Sequence, residues 1–235
     1  MKRSLGFGLA VLAAAQLLGC SSDIVAFDPS RDARFRVVNV VRDAPLLDVL
    51  VEGSVVFRAL AYGGSTGYLF ANAGSRLVTG RSAAADSSTI FQIQAPLGVG
   101  NTYTILAMGH VGSVQVPVLT EDVSPPPSGQ AKIRAINAAP SAPPVDVYVT
   151  APGADLVAAT PSFSGLGFGQ ISGYLPFPEA LYQLRATEAG TKNVLVNTGT
   201  RSFPAGQIST LLVVENTDTT GTAPPFTWVL LGDNP

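Results

Sequence analysis

One stretch of this chain occurs twice, and any fold it adopts has to accommodate that duplication. Phe35–Val51 reads FRVVNVVRDAPLLDVLV and Ile133–Val149 reads IRAINAAPSAPPVDVYV. Aligned without a gap, they share Arg36/Arg134, Asn39/Asn137, Ala44/Ala142, Pro45/Pro143, Asp48/Asp146, Val49/Val147 and Val51/Val149. A second block follows in the same order, ALAYGGSTGYL at Ala59–Leu69 against GLGFGQISGYL at Gly165–Leu175. Two similar modules in series are the consequence. Divided this way, 235 residues yield two units of about 90–105 residues, enough for an autonomous core in each.

Residues 1–19 have to be set aside before any fold is argued. Lys2 and Arg3 form a positive start, and Leu5–Leu18 is an apolar run without a charge. That run is too short for a comfortable span of about 20 residues. It ends in Leu17-Leu18-Gly19-Cys20, which resembles a bacterial lipobox. The resemblance implies a signal helix over 1–19, cleavage before Cys20, and acylation of its thiol and new amino group. Cys20 is the only cysteine, so no intrachain disulfide can form and an anchoring role is the simplest use for it. Two or more acyl chains hold a protein firmly to a membrane. Ser21, in place of an Asp, leans the expected location toward the outer rather than the inner membrane of a cell envelope.

Cleavage removes Lys2 and Arg3, leaving 12 basic against 16 acidic side chains, a net charge near −4. A chain so charged carries no basic footprint for nucleic acid. Residues 20–33 read as a lipidated tether whose last 13 residues span about 40 Å at roughly 3.3 Å per residue. Within it, Ile24, Val25 and Phe27 are candidates to dock on the body instead.

From residue 34 onward the pattern is all-β. Phe35–Val41 is apolar on both faces, Asp43-Ala44-Pro45 turns the chain, and Leu47–Val51 follows. Strands are further expected at Val55–Phe57, Gly67–Phe70, Arg76–Thr79, Thr89–Gln94, Thr102–Met108 and Ser113–Leu119, with Gly at the corners. No window sustains a helical period. The first module is therefore 34–122 and the second 131–235. The latter has expected strands at Ala131–Ala138, Val145–Thr150, Gln170–Leu175, Tyr182–Thr187, Asn193–Val196, Ile208–Glu215 and Phe226–Leu231. Between them 123–130 contains Pro125-Pro126-Pro127, a stiff extended segment expected to space the modules apart. The second module carries eight extra residues between Val149 and Leu166, an insertion suited to a surface loop.

Arg134 to Val149, RAINAAPSAPPVDVYV, together with Phe168-Gly169, Ser172-Gly173-Tyr174 and Pro178 to Tyr182, resembles bacterial domain of unknown function 4397. The first module keeps Asp43-Ala44-Pro45, Asp48, Gly63, Gly67-Tyr68 and Gly74 but has Arg42 in place of Pro140 and Leu50 in place of Tyr148. The likeness extends over most of 34–235. It implies tandem extracytoplasmic Ig-like or prealbumin-like antiparallel β-sandwiches, with no catalytic residues to carry over.

The residues for chemistry are few. His110 is the only histidine, between Gly109 and Gly112 at an expected exposed hairpin, so a base–nucleophile pair is not expected. Zinc sites draw on several Cys and His ligands, and no metal or other cofactor is expected here. Asp48 and Asp146 are the candidate ligands for Ca²⁺ or a sugar hydroxyl, weighed against a carboxylate bonded to turn backbone. Tyr68 and Tyr174 are candidates for stacking on a sugar, weighed against core aromatics. The structural role is favoured for all four. Asn39 and Asn137 are expected to tie down the strand-to-turn corner. The expected function is a non-catalytic, membrane-anchored lipoprotein serving as a surface spacer, adhesion or binding unit, with an envelope protein or glycan as partner. The alternative is a glycan-binding or, less favoured, glycan-hydrolysing lipoprotein, which an open groove at Thr150–Gly165 would support and a loop folded flat would not.

Overall fold

A computed structural model describes residues 27–218 and 220–235. The expected signal helix and Cys20 lie outside the described residues. Every element within them is a strand, arranged as four four-stranded sheets. In the first module β1 (Asp32–Val41) runs between β4 (Leu69–Asn72) and β7 (Thr102–Gly109), with β8 (Val118–Thr120) beyond. Facing it, β2 (Leu47–Val51) lies between β3 (Ser54–Leu60) and β5 (Gly74–Ser82), with β6 (Thr89–Leu97) outside. The second module repeats the plan. One sheet is β12 (Leu175–Pro178), β9 (Gln130–Asn137), β15 (Ile208–Glu215) and β16 (Phe226–Gly232). The other is β11 (Phe163–Leu166), β10 (Val145–Thr150), β13 (Ala180–Glu188) and β14 (Val194–Phe203).

The antiparallel expectation needs one correction. β1 pairs with β7 in parallel, and β9 with β15 likewise. Parallel neighbours need a long crossover connection, and here strands of the facing sheet provide it in place of a helix. Two expected strands also shrink. Ser113–Leu119 keeps only β8, because Pro117 has no N–H to continue the ladder. Gln170–Leu175 is mostly loop, since the Ser172 hydroxyl accepts the Ala135 N–H (2.8 Å) where a strand carbonyl would have done so. The insertion precedes β11, a four-residue counterpart of β3 that carries no clear strand pattern of its own.

Side-chain alternation explains the layering. On β1, Phe35, Val37 and Val41 enter the core of the first sandwich, while Val38 and Val40 point the other way. On β7, Ile105 and Ala107 face inward and Leu106 and Met108 outward. The second module mirrors this, with Ile133, Ala135, Leu211 and Val213 inside and Ile136, Leu212 and Val214 outside. The outward sets meet. Val38, Val40, Leu106, Met108 and Leu119 pack against Ile136, Ala138, Leu212, Val214 and Leu231 as a third core between the modules. Four sheets are thereby stacked around three buried layers.

The expectation that the proline segment spaces the modules is therefore overturned. Lys132 reaches back to donate to Asp122 (2.8 Å) and Ser124 (3.3 Å), so the connection folds on itself. Burial of two apolar sheet faces outweighs the local stiffness of three prolines. Each of the repeated glycines faces a side chain of the other module across the same seam. A Cβ on Gly63 would stand 3.5 Å from Val229, and one on Gly169 3.5 Å from Met108, both at left-handed φ (74° and 77°).

Because the middle core belongs to both modules, they should unfold together. Leu212→Ala, fully buried in that core, is expected to cost about 2–5 kcal/mol. Denaturant unfolding should stay a single transition; two resolved transitions in the wild type would contradict the shared core.

Candidate functional site

Asp48 and Asp146 are buried, and their oxygens are occupied by the fold. Asp146 accepts the Gly165 and Gly190 N–H groups, both at 2.8 Å. Asp48 accepts the Ala59 N–H (3.1 Å) and an Arg58 guanidinium N–H (3.2 Å). Ala59 and Gly165 are equivalent, and both have left-handed φ, 55° and 65°. The pairing register slips at this place in both β2–β3 and β10–β11. Each aspartate thus holds the left-handed residue of a bulge, which is the backbone-bonded role weighed for them above. Asn39 and Asn137 act similarly: their Oδ1 accepts from Val41 and Ala139, and their amide donates to Leu60 and Leu166 carbonyls.

Tyr68 and Tyr174 lead somewhere the sequence reading missed. Each ring lies under an arginine, Arg36 over Tyr68 at 4.9 Å and Arg134 over Tyr174 at 4.8 Å. Both arginines are buried at one end of the seam and pair across it. Arg36 binds Asp233 of the second module and donates to the Gly232 carbonyl (2.6 Å). Arg134 donates to both oxygens of Glu121 of the first (2.7 and 2.6 Å). Thr104 and Thr210 accept from the two Nε atoms, each at 2.8 Å. The Tyr174 hydroxyl lies 2.7 Å from Glu121 and 2.7 Å from Asp233. Burial, then the Asp233 charge, pushes the Tyr174 phenol far above its ordinary value, so it stays a neutral donor. Two arginines and two carboxylates balance in charge. The signal was present: a repeated Arg inside an apolar strand, and an acidic residue two positions after a buried leucine in each module.

At the other end of the seam lies an open cleft of about 530 Å³, lined by Arg42, His110, Ser141 and Glu215 among others. His110 is less of a free turn residue than expected. Its Nε2 stands 3.3 Å from the buried Glu215 carboxylate and its Nδ1 3.7 Å from Asp43. Arg42 Nε is 3.7 Å from the same Glu215 oxygen, and Ser141 donates its hydroxyl to the other. The Tyr62 hydroxyl donates to the Glu215 carbonyl (2.7 Å), with its phenol pushed up to about 12 by burial and then by Glu215. Here the carboxylate stands between serine and imidazole, whereas a hydrolytic triad needs the imidazole in the middle. The arrangement ties the modules together.

The insertion is folded flat. Arg185 donates to Thr150 (2.9 Å) and Ala154 (2.7 Å), and Lys192 to the Tyr148 hydroxyl (2.9 Å) and the Ala159 carbonyl (2.7 Å). Leu156 is buried beneath it. Among the described residues no group of three or more His, Cys, Asp or Glu side chains is placed to hold a metal.

Removing one partner of a buried pair leaves a charge stranded. Arg134→Met should therefore cost about 3–5 kcal/mol, while the double variant Arg134→Met/Glu121→Leu should lose far less. Chemical denaturation of both tests this, and equal losses would contradict it. Lys132, then Ser124, lowers the Asp122 carboxyl from 3.8 to about 2. That contribution is full above pH 4 and disappears as pH falls toward 2. Asp122→Asn should accordingly show a shallower loss of melting temperature over that window than the wild type.

The family model for a domain of unknown function, DUF4397, matches residues 33–148. The match takes in all of the first module, the proline segment, and β9 and most of β10, a shorter reach than the expected 34–235. A search of curated proteins returns no match. Residues 33–148, with their repeated Arg, Asn, Ala-Pro and Asp, match the DUF4397 family.

Proposed function

We propose that the mature protein is an extracytoplasmic lipoprotein, held by acyl chains on Cys20, that presents its two modules as one non-catalytic body for adhesion or binding. Leu17-Leu18-Gly19-Cys20 behind a short apolar run carries this proposal. A β-rich DUF4397 domain is consistent with it. The donation of the Ser141 hydroxyl to Glu215, with His110 only near the other oxygen, fits a binding role better than a hydrolytic one. The partner class that fits best is an envelope protein. The flat packing of Thr150–Gly165 counts against the glycan-binding alternative.

The structure alters the spacer part of the expectation in two ways. The modules form one packed body, and the tether is shorter than its sequence length suggests. Phe27 already stacks on Phe70 at 5.2 Å, with Arg34 lying over it at 4.1 Å. Only residues 21–26 separate it from Cys20, a reach of at most about 23 Å at roughly 3.3 Å per residue. The body is thus held close to the membrane that anchors it, the outer membrane by the Ser21 criterion. Cys20→Ala should move the protein from the membrane to the soluble fraction; a variant that still sediments with membranes would overturn the anchor.

A further inference from the structure

The two modules differ in how they fill one place, the open end between the edge strands of each sandwich. In the second module three aromatic rings close it. Phe177 lies 4.9 Å from Tyr182 and 5.4 Å from Phe203, with Tyr182 and Phe203 6.2 Å apart. Strand register identifies their counterparts. Phe177 stands opposite Ala131 as Ala71 stands opposite Ala33. Tyr182 faces Arg201 as Arg76 faces Ala95, and Phe203 faces Ala180 as Leu97 faces Gly74. The first module thus has Ala, Arg and Leu where the second has Phe, Tyr and Phe. Arg76 does not replace the lost ring, because its guanidinium folds aside onto the Asn72 (2.7 Å) and Ala73 (2.9 Å) carbonyls. What remains is an open cleft of about 500 Å³ between β3 and β4, with Val51, Val56, Leu69 and Phe70 among its apolar walls. Asp32, Glu52, Asn72 and Arg76 are its polar lining. Phe70 and Val56 are left 50% and 40% exposed at its edge.

We propose that this cleft holds one of the acyl chains attached to Cys20. The proposal rests on the lipoprotein assignment for the source of the chain, though not for the cleft. Three observations favour this occupant. The N-terminal segment enters the module over the cleft, since the Phe27 ring rests on the wall residue Phe70. Cys20 is seven positions further out, within about 23 Å at roughly 3.3 Å per residue, which brings a linked chain to an effective concentration in the millimolar range. The volume lies in the range of small-ligand sites, about 300–1,000 Å³, and the apolar part of its lining, Phe35, Val51, Val56, Leu69 and Phe70, gives a hydrocarbon a surface to bury against. Each methylene taken from water strengthens binding about fourfold, so a few suffice.

The test uses the mature full-length chain with Cys20→Ser, titrated with laurate. Micromolar, one-to-one binding is expected, weakened at least tenfold in Ala71→Phe/Arg76→Tyr, which copies the second module. The melting temperature of that variant should be equal or higher. A photoreactive laurate analogue should label β3 or β4, a readout that needs no variant. No binding, equal affinity in both chains, or labelling elsewhere overturns the cleft. The acylated wild type should bind laurate at least tenfold more weakly than Cys20→Ser; equal affinities overturn Cys20 as the source. Intact mass separates the two failures. A wild type without acyl mass would sink the lipoprotein assignment and the source with it, while laurate binding by Cys20→Ser would still stand as a test of the cleft.

Discussion

A strand presents alternate side chains to opposite faces, and in β1, β7, β9 and β15 both sets are almost wholly buried, the outward one through Val38, Val40, Leu106, Met108, Ile136, Leu212 and Val214. One sandwich can bury only one of those sets. The second must meet another apolar surface, and the equivalent sheet of the neighbouring module is the surface available on the same chain. From this follow the four-layer stack, the folded-back proline segment and the close approach of Gly63 to Val229 and of Gly169 to Met108. It also sets the conditions for charge. Arg36 and Arg134 share the outward parity of Val38 and Ile136, so burying those valines and isoleucines drags the guanidiniums into the seam. Each can be tolerated there only with a carboxylate delivered to it.

The duplication makes that delivery reciprocal. Glu121 and Asp233 follow the last strand of their respective modules, and each reaches over the seam to the arginine of the other copy. A lone module would leave its arginine without the partner's carboxylate and its outer sheet face wet. Buried pairs of this kind contribute less to net stability than to selecting one alignment among several. The geometry supports that role here, since sliding one sheet along the other would break both pairs at once. At the opposite end Glu215 gathers Arg42, His110 and Ser141 without symmetry, because Gly109 occupies the equivalent place in the first module.

How much of this was legible beforehand depends on what kind of signal carried it. Period-two patterns and turn residues identified most strands, and the repeated Asp48/Asp146 were readable as backbone anchors because Asp in a turn has a known local use. The apolar run of Phe35–Val41 on both faces is also visible, but by itself it fits burial within a single sandwich equally well. Its second face is the evidence for a third core. Pro125–Pro127 was weighed for its own stiffness, a local property that long-range burial overrode. The repeated arginines and the acidic residue after each last strand are visible in the sequence, but they lie 197 and 13 residues apart, and spacing alone does not assign an arginine to its carboxylate.

The same distinction bears on where the two copies have diverged in use. The eight-residue insertion is the conspicuous difference in sequence, but its bonds to Arg185 and Lys192 consume it in covering a sheet. The exchange of Phe177, Tyr182 and Phe203 for Ala71, Arg76 and Leu97 changes no strand pattern and leaves no gap in an alignment. It changes volume. A core closed by three rings in one module becomes a cleft beside the N-terminal segment in the other, with Phe70 and Val56 held in water at its mouth. Exposed apolar side chains around a preformed hollow cost stability that a ring at position 71 would recover, and the second module demonstrates that the scaffold accepts the ring. Divergence in an otherwise preserved repeat therefore points to the hollow, and the loop belongs to the scaffold.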